Sequence, residues 1–169
     1  GISFPRIGAE EALQAAIDSP HWKSPIEGPN RGRGVASGYW FNGGMQSSVV
    51  VNVNNDGTLN LVEGSTDIGG SRASLAMQLA ETLGVGYETI RPSVVDTDSI
   101  GHNDVTGGSR TTFASGLAVF EAGMDIRRQM IARAAKLWGV PEDQVVYESG
   151  KLHSLKDSTR ELTFKEMAG

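Results

Sequence analysis

The chain has 169 residues and no cysteine. A disulfide framework, a thiolate-held metal and iron–sulfur ligation are thereby excluded within it. Its three histidines, His21, His102 and His153, lack the short spacings of a metal site, so no metal is assigned to them. Nowhere do about 18 apolar residues run together, and the opening Gly-Ile-Ser-Phe has no basic flank before an apolar stretch. Neither a membrane span nor a signal peptide is expected. Basic residues are sparse: Arg31/Arg33 and Arg127/Arg128 are pairs rather than runs, in a chain of formal charge −5. An acidic surface without a basic patch repels nucleic acid and anionic lipid, so neither is expected as a partner.

The chain does hold enough apolar residues, 38%, for one core. Residues 10–18, EEALQAAID, place Ala12, Leu13, Ala16 and Ile17 at helical spacing and stop at Ser19-Pro20. The stretch from Pro20 to Gly34 is rich in Pro, Gly and charge, which is linker chemistry. We therefore expect an N-terminal helix and linker over 1–32 and an α+β domain over 33–169. VASGYWF at 35–41, SSVVVNVN at 47–54 and TLNLVEG at 58–64 read as strands, the last two joined through Asp56-Gly57 as a hairpin. Leu75, Leu79 and Leu83, with Ala76 and Ala80, form a helical stripe ending at Gly84. IRPSVVD reads as a strand over 89–96. A long helix is predicted from the steps between Phe113, Leu117, Phe120, Met124, Ile131, Ala134, Ala135 and Trp138, ended by Gly139 and Pro141. QVVYESGKLHSL reads as a hairpin across Ser149-Gly150, followed by a short helix from Thr163. Such a mixture implies a two-layer α+β fold, a mixed sheet with helices packed on it.

One tetrapeptide occurs twice. Gly69-Gly70-Ser71-Arg72 and Gly107-Gly108-Ser109-Arg110 each precede a predicted helix. Glycine permits positive φ and close approach, and the first N–H groups of a helix lack intrahelical acceptors. Two readings stand: ordinary turn-and-cap sequence, or two helix starts converging on an oxyanion such as phosphate. Neither copy is a P-loop or a dinucleotide-binding fingerprint, which excludes nucleotide hydrolysis on that basis. Asp67, Asp96, Asp98 and Asp104 lie nearby and read as turn or cap residues. Tyr39, Trp40 and Phe41 read as strand aromatics facing a core, with ring stacking as the other use. Arg72 and Arg110 are either solvated or phosphate contacts, and Arg127, Arg128 and Arg133 a solvated or intersubunit helix face.

The blocks VNVNNDGTLNLVEGSTDIGGSRASLAMQLAETLGV, VVDTD and TGGSRTTFASGLAVFEAG, in that order, resemble the molybdopterin-binding part of the molybdenum hydroxylase large subunit, the xanthine dehydrogenase, aldehyde oxidase and aerobic carbon monoxide dehydrogenase family. The resemblance spans about Gly34 to Gly139. It implies a cytoplasmic or periplasmic oxidoreductase acting on a small organic substrate or carbon monoxide, with molybdopterin, as a cytosine dinucleotide, in this subunit. It further implies 2Fe-2S clusters and FAD on other domains or subunits. Gly69, Gly70, Ser71 and Arg72 would fall on one cofactor loop, and Gly107, Gly108, Ser109, Arg110, Thr111 and Thr112 on the second, with Gly107 and Gly108 also bordering the substrate pocket. Gly70 departs from the family, which has glutamine there to donate to the molybdenum oxo group. The family's general-base glutamate lies far downstream of the second loop, so no catalytic residue is assigned between 1 and 169. The chain is read as a domain-sized piece, inactive alone, that works with the rest of the large subunit. A non-catalytic binding domain of the same fold is the alternative.

Overall fold

The computed structural model describes residues 7–38 and 40–169. The chain divides into two compact units, residues 1–40 and 41–169. The break thus falls beyond the composition change near residue 32. In the first unit, α1 (Ala9–Asp18) and α2 (Pro20–Lys23) form, and the Ser19 hydroxyl caps α2 by accepting from Trp22 N–H at 3.1 Å. The expected strand over 35–41 is absent among the described residues. Trp40 and Phe41 are 69% and 55% exposed rather than facing a core, while Tyr39 lies outside the described residues.

The second unit begins with the hairpin of β1 (Val49–Val53) and β2 (Leu59–Glu63), antiparallel with Val51 opposite Leu61. Its turn uses Gly57 at φ 82°, and Asp56 accepts from Thr58 N–H at 3.0 Å. From β2 the chain crosses through α3 (Ser71–Leu83) to β3 (Ile90–Val94), which pairs parallel to β2. A parallel neighbour demands such a crossover. A π-turn at Thr111–Ser115 then runs directly into α4 (Gly116–Trp138). The rest is a second, wholly antiparallel sheet of β4 (Val145–Glu148), β5 (Lys151–Ser154) and β6 (Glu161–Thr163), closed by α5 (Phe164–Ala168). Thr163 and Glu166 form a reciprocal capping box at the start of α5. The fold is α+β, with two small sheets rather than one; β6 had no signal beyond three residues of ordinary strand composition.

One core serves the unit. Leu59 and Leu61 of β2, Leu75, Leu79 and Leu83 of α3, Val119, Met130 and Ala134 of α4, and Tyr147, Leu152 and Phe164 are all buried. The C-terminal part of the predicted stripe holds, with Ala134 and Ala135 buried and Ile131 and Trp138 packed on the core, whereas its start differs. Phe113, Leu117 and Phe120 are 62%, 54% and 45% exposed, while Val119, Gly123, Ile126 and Met130 face inward. The reason is the α3–α4 contact: a Cβ on Gly123 would lie 2.7 Å from Thr82 Cγ2, while one on Gly116 would meet only the movable end of the Gln78 side chain. Helices approaching this closely need small residues at the crossing, so the glycines rather than the phenylalanines mark the buried face.

Arg127 is not part of a solvated face either. It donates to the Tyr147 carbonyl at 3.0 Å and lies 5.0 Å over the Tyr147 ring. The Tyr147 hydroxyl donates to the Leu83 carbonyl at 2.7 Å, and burial, only partly opposed by Arg127, pushes its pKa up to about 12. This ties the C-terminal end of α3 to β4. Arg128 keeps to the surface, paired with Asp125 at 2.9 Å.

Candidate functional site

The two Gly-Gly-Ser-Arg loops meet. Thr66 Oγ1, before the first, lies 2.8 Å from Thr106 Oγ1, before the second. The β2–α3 crossover delivers the first loop to the end of the mixed sheet, and the chain leaving β3 delivers the second. Around Gly69, Gly70 and Gly107 a Cβ would meet nothing within 4 Å, so this side is open space. Ile68 and Val105 flank it, 61% and 72% exposed.

The first loop is a tight turn with Gly69 and Gly70 both left-handed, φ 61° and 81°, and Ser71 N–H donating to the Ile68 carbonyl at 3.2 Å. Helix α3 therefore starts on the third residue of the motif. Its end is closed internally: Asp67 Oδ1 accepts from Arg72 N–H at 2.9 Å, and the Gly70 carbonyl accepts from Ala73 and Ser74 N–H at 3.1 and 3.2 Å. Ser71 Oγ turns back to the Thr66 carbonyl at 3.2 Å, and the Arg72 guanidinium pairs with Asp67 at 3.4 Å while half exposed. A carboxylate at a helix N-terminus neutralises the positive end that an external anion would otherwise use. Asp67 is the expected cap residue, and as a cap it occupies the helix end that a ligand would need.

The second loop uses the same four residues one step out of register. Here Gly108 and Ser109 are left-handed, φ 59° and 54°, and the helical turn starts only at Thr111. The Gly108 carbonyl accepts from Gly43 N–H at 2.6 Å, and the Ser109 carbonyl from Asn42 Nδ2 at 2.9 Å. Both carbonyls thus face the 42–43 segment. The helix start has no side-chain cap, and among the described residues the N–H groups from Gly107 to Phe113 find no acceptor outside their own helical turn. Ser109 and Thr112 are exposed beside them, while Thr111 is 9% exposed. Uncapped N–H groups, small residues and free hydroxyls form the donor set an oxyanion requires.

Arg110 corrects the expectation that it is solvated or reaches phosphate. It is fully buried. Its Nε donates to the Gly44 carbonyl at 2.8 Å, its Nη1 to Asp104 and Val105 carbonyls at 2.9 and 3.3 Å, and its Nη2 to the Gln46 carbonyl at 2.7 Å and to Ser47 Oγ. No donor is left for a ligand. The side chain instead staples the second loop to the segment before β1, a role invisible in the sequence because the acceptors there, the Gly44 and Gln46 carbonyls, are more than 60 residues away.

Asp104 supplies the countercharge. Gln46 N–H, donating at 2.7 Å, holds its carboxyl below the usual range, helped by His102 at 3.3 Å and by Arg110. Ser99 likewise holds Asp96 low as a turn residue, with both carboxylate oxygens accepting its hydroxyl at 2.9 Å. Among the described residues no group of acidic, histidine or cysteine side chains could hold a metal ion.

The model of the molybdopterin cofactor-binding domain matches residues 11–169. The chain belongs to this family. The molybdenum-binding subunit PaoC of an aldehyde oxidoreductase from Escherichia coli strain K12 is 31% identical over 96% of the chain, which spans 22% of that protein. The putative xanthine dehydrogenase molybdenum-binding subunit XdhA of the same strain is 32% identical over 62% of the chain, which spans 15% of it. Among solved structures, the fold superposes on a Cu,Mo-containing carbon monoxide dehydrogenase with a TM-score of 0.68 at 23% identity, covering 73% of this chain and 16% of that one. The chain thus spans about a fifth of these relatives or less. No helix of the described residues is long and apolar enough to cross a membrane.

Proposed function

We propose that the chain is a portion of the molybdenum-binding subunit of a molybdenum hydroxylase-type oxidoreductase, and that its second glycine loop holds a phosphate of a molybdopterin cytosine dinucleotide. The observation that carries this is the uncapped helix start at Thr111 with the loop Gly107–Arg110 before it, beside the first loop through the Thr66–Thr106 contact. The N–H groups of Gly107 to Thr112 and the hydroxyls of Ser109 and Thr112 would take the phosphate oxygens. Thr111, largely buried, and the Gly69 and Gly70 main chain would border the ligand. Ser71 and Arg72, engaged with Thr66 and Asp67, shape the first loop rather than touch the cofactor, and Arg110 positions the second.

When bound, the molybdenum centre supplies two-electron redox chemistry for hydroxylating a small organic substrate or oxidising carbon monoxide. Residues 1–169 contribute binding and orientation, with Gly107 keeping bulk away from the pocket. The general base, the 2Fe-2S clusters and FAD belong to other parts of the subunit or to partner subunits. The working location is the cytoplasm or the periplasm.

The test uses the full-length protein expressed under conditions that load related enzymes, with metal analysis and release of the pterin nucleotide. Molybdenum and cytidine monophosphate in equal amounts are expected. Absence of both would overturn the reading. It would favour a non-catalytic domain of the same fold, the alternative supported by Gly70 and by the internal closure of α3 at Asp67.

A further inference from the structure

Glu63, the last residue of β2, belongs to neither loop motif, yet it is 1% exposed. Its Oε2 accepts from Ser65 N–H at 2.8 Å, and its Oε1 has no hydrogen-bond partner among the described residues. A buried carboxyl with an orphaned oxygen is costly, so its retention calls for a reason. From Ser65 an interior line of side chains continues. Ser65 Oγ lies 3.0 Å from Ser115 Oγ, which lies 3.2 Å from Ser47 Oγ, which accepts from Arg110. Ser65 leads into the first loop, Ser115 is on the turn that follows the second, and Arg110 closes the second. Glu63, Ser65, Ser115 and Arg110 are each at most 3% exposed. A polar chain therefore joins the loops beneath their surface contact at Thr66 and Thr106.

We propose that Glu63 is a positioning residue that, through Ser65, Ser115 and Ser47, couples the two glycine loops so that loosening one loosens the other. Inside a low-dielectric interior such chains strengthen cooperatively, and a break at any link is felt along them. Burial favours the neutral form of Glu63, whereas its hydrogen bond from Ser65 N–H favours the charged one. The charged groups facing it are Asp67, which opposes its ionisation, and Arg72, which favours it. The strands on either side place Val49 and Val94 opposite it, and the loop against the next residue, Gly64, presents Ile100 and Asn103, none of them titratable. Burial, the largest influence, raises the Glu63 pKa above the ordinary glutamate value, with Ser65 N–H pulling the other way. For an acid raised in the folded state, the favourable contribution is complete below the unfolded pKa and is lost as pH rises through the folded one. The stability Glu63 contributes where the two loops join therefore falls as pH climbs out of the glutamate range.

The test is hydrogen exchange of the full-length protein as a function of pH, read at residues 67–72 and 107–112. Ser115→Ala cuts the chain at its middle, removing the bonds to both Ser65 and Ser47, and is expected to speed exchange at both loops together by roughly tenfold or more. Glu63→Gln, isosteric and uncharged, is expected to keep wild-type protection and flatten its pH dependence. Faster exchange at one loop alone, or at neither, in Ser115→Ala would overturn the proposal. So would a Glu63→Gln protein that retains the wild-type pH slope. The cofactor consequence rests on the reading above, and the two fail separately. Coupled loops in a protein that carries no molybdenum would sink only that reading, and uncoupled loops in a loaded protein only this one.

Discussion

Gly69-Gly70-Ser71-Arg72 and Gly107-Gly108-Ser109-Arg110 are the same four residues put to opposite uses. In the first, the left-handed pair is Gly-Gly and the helix begins at Ser71, so Arg72 sits within the first helical turn and points to solvent and Asp67. In the second, the left-handed pair is Gly-Ser and the helix begins after Arg110, whose side chain turns into the protein. A shift of one residue in the turn and two in the helix start exchanges a surface ion pair for a buried staple, and a closed helix end for an open one. The difference comes from what surrounds each copy. Asp67 stands ready to cap the first, whereas the 42–47 carbonyls stand ready to receive Arg110 at the second.

The largest expected effect sharpens this contrast most. Arg110→Ala leaves several buried carbonyls without donors and should destabilise the unit by about 3–5 kcal/mol, whereas Arg72→Ala removes a half-exposed pair and should cost at most about 1 kcal/mol. Denaturant-dependent hydrogen exchange compares them. Equal costs would break the register explanation. Gly107→Asp places a carboxylate where a Cβ meets nothing, so the fold should survive while molybdenum content of the full-length protein falls by roughly tenfold or more, like charge opposing the phosphate.

Asp67→Ala should cost α3 about 1 kcal/mol, the usual worth of a cap, and raise exchange at Arg72 N–H. If exchange there stays unchanged, the first helix end is not closed by Asp67. Ser109→Gly relieves a left-handed serine and should add up to about 1 kcal/mol of stability, seen as a higher Tm. The smallest effect is a pH slope. Asp104, held low chiefly by Gln46 N–H, contributes stability that is present above its unfolded pKa and lost as pH falls through the folded value. Asp104→Asn should flatten that acid-side loss, whereas Glu63→Gln acts on the rising side of the glutamate range. Identical pH profiles for the two variants would contradict the opposite environments of these acids.

Much of the fold is legible before folding. The Asp56-Gly57 hairpin, the Leu75–Leu79–Leu83 stripe with Gly84 after it, and the Ser149-Gly150 hairpin are local patterns, and each appears where it is predicted. The strand-like composition of residues 35–41 is not enough without a partner strand, and no strand forms there among the described residues. At the start of α4 the large apolar residues are not the buried ones; Gly123 marks the helix crossing, and a glycine carries no hydrophobic signal. In the candidate site, the doubled motif was visible, and so was Asp67 as a cap. Glu63, Ser47, Ser65 and Ser115 carried no signal, since an isolated serine or glutamate in a sequence has no direction.

The sequence by itself determined which segments turn, which coil and where each ends, because those choices depend on residues a few positions apart. It also determined the family, through three blocks in fixed order. Only the tertiary structure decided that the two loops touch, that one helix start is sealed and the other open, and that Arg110 is interior. Those outcomes depend on which groups the fold brings together, Thr66 with Thr106 across 40 residues and Arg110 with the Gly44 and Gln46 carbonyls across more than 60, and main-chain acceptors are the same in every sequence.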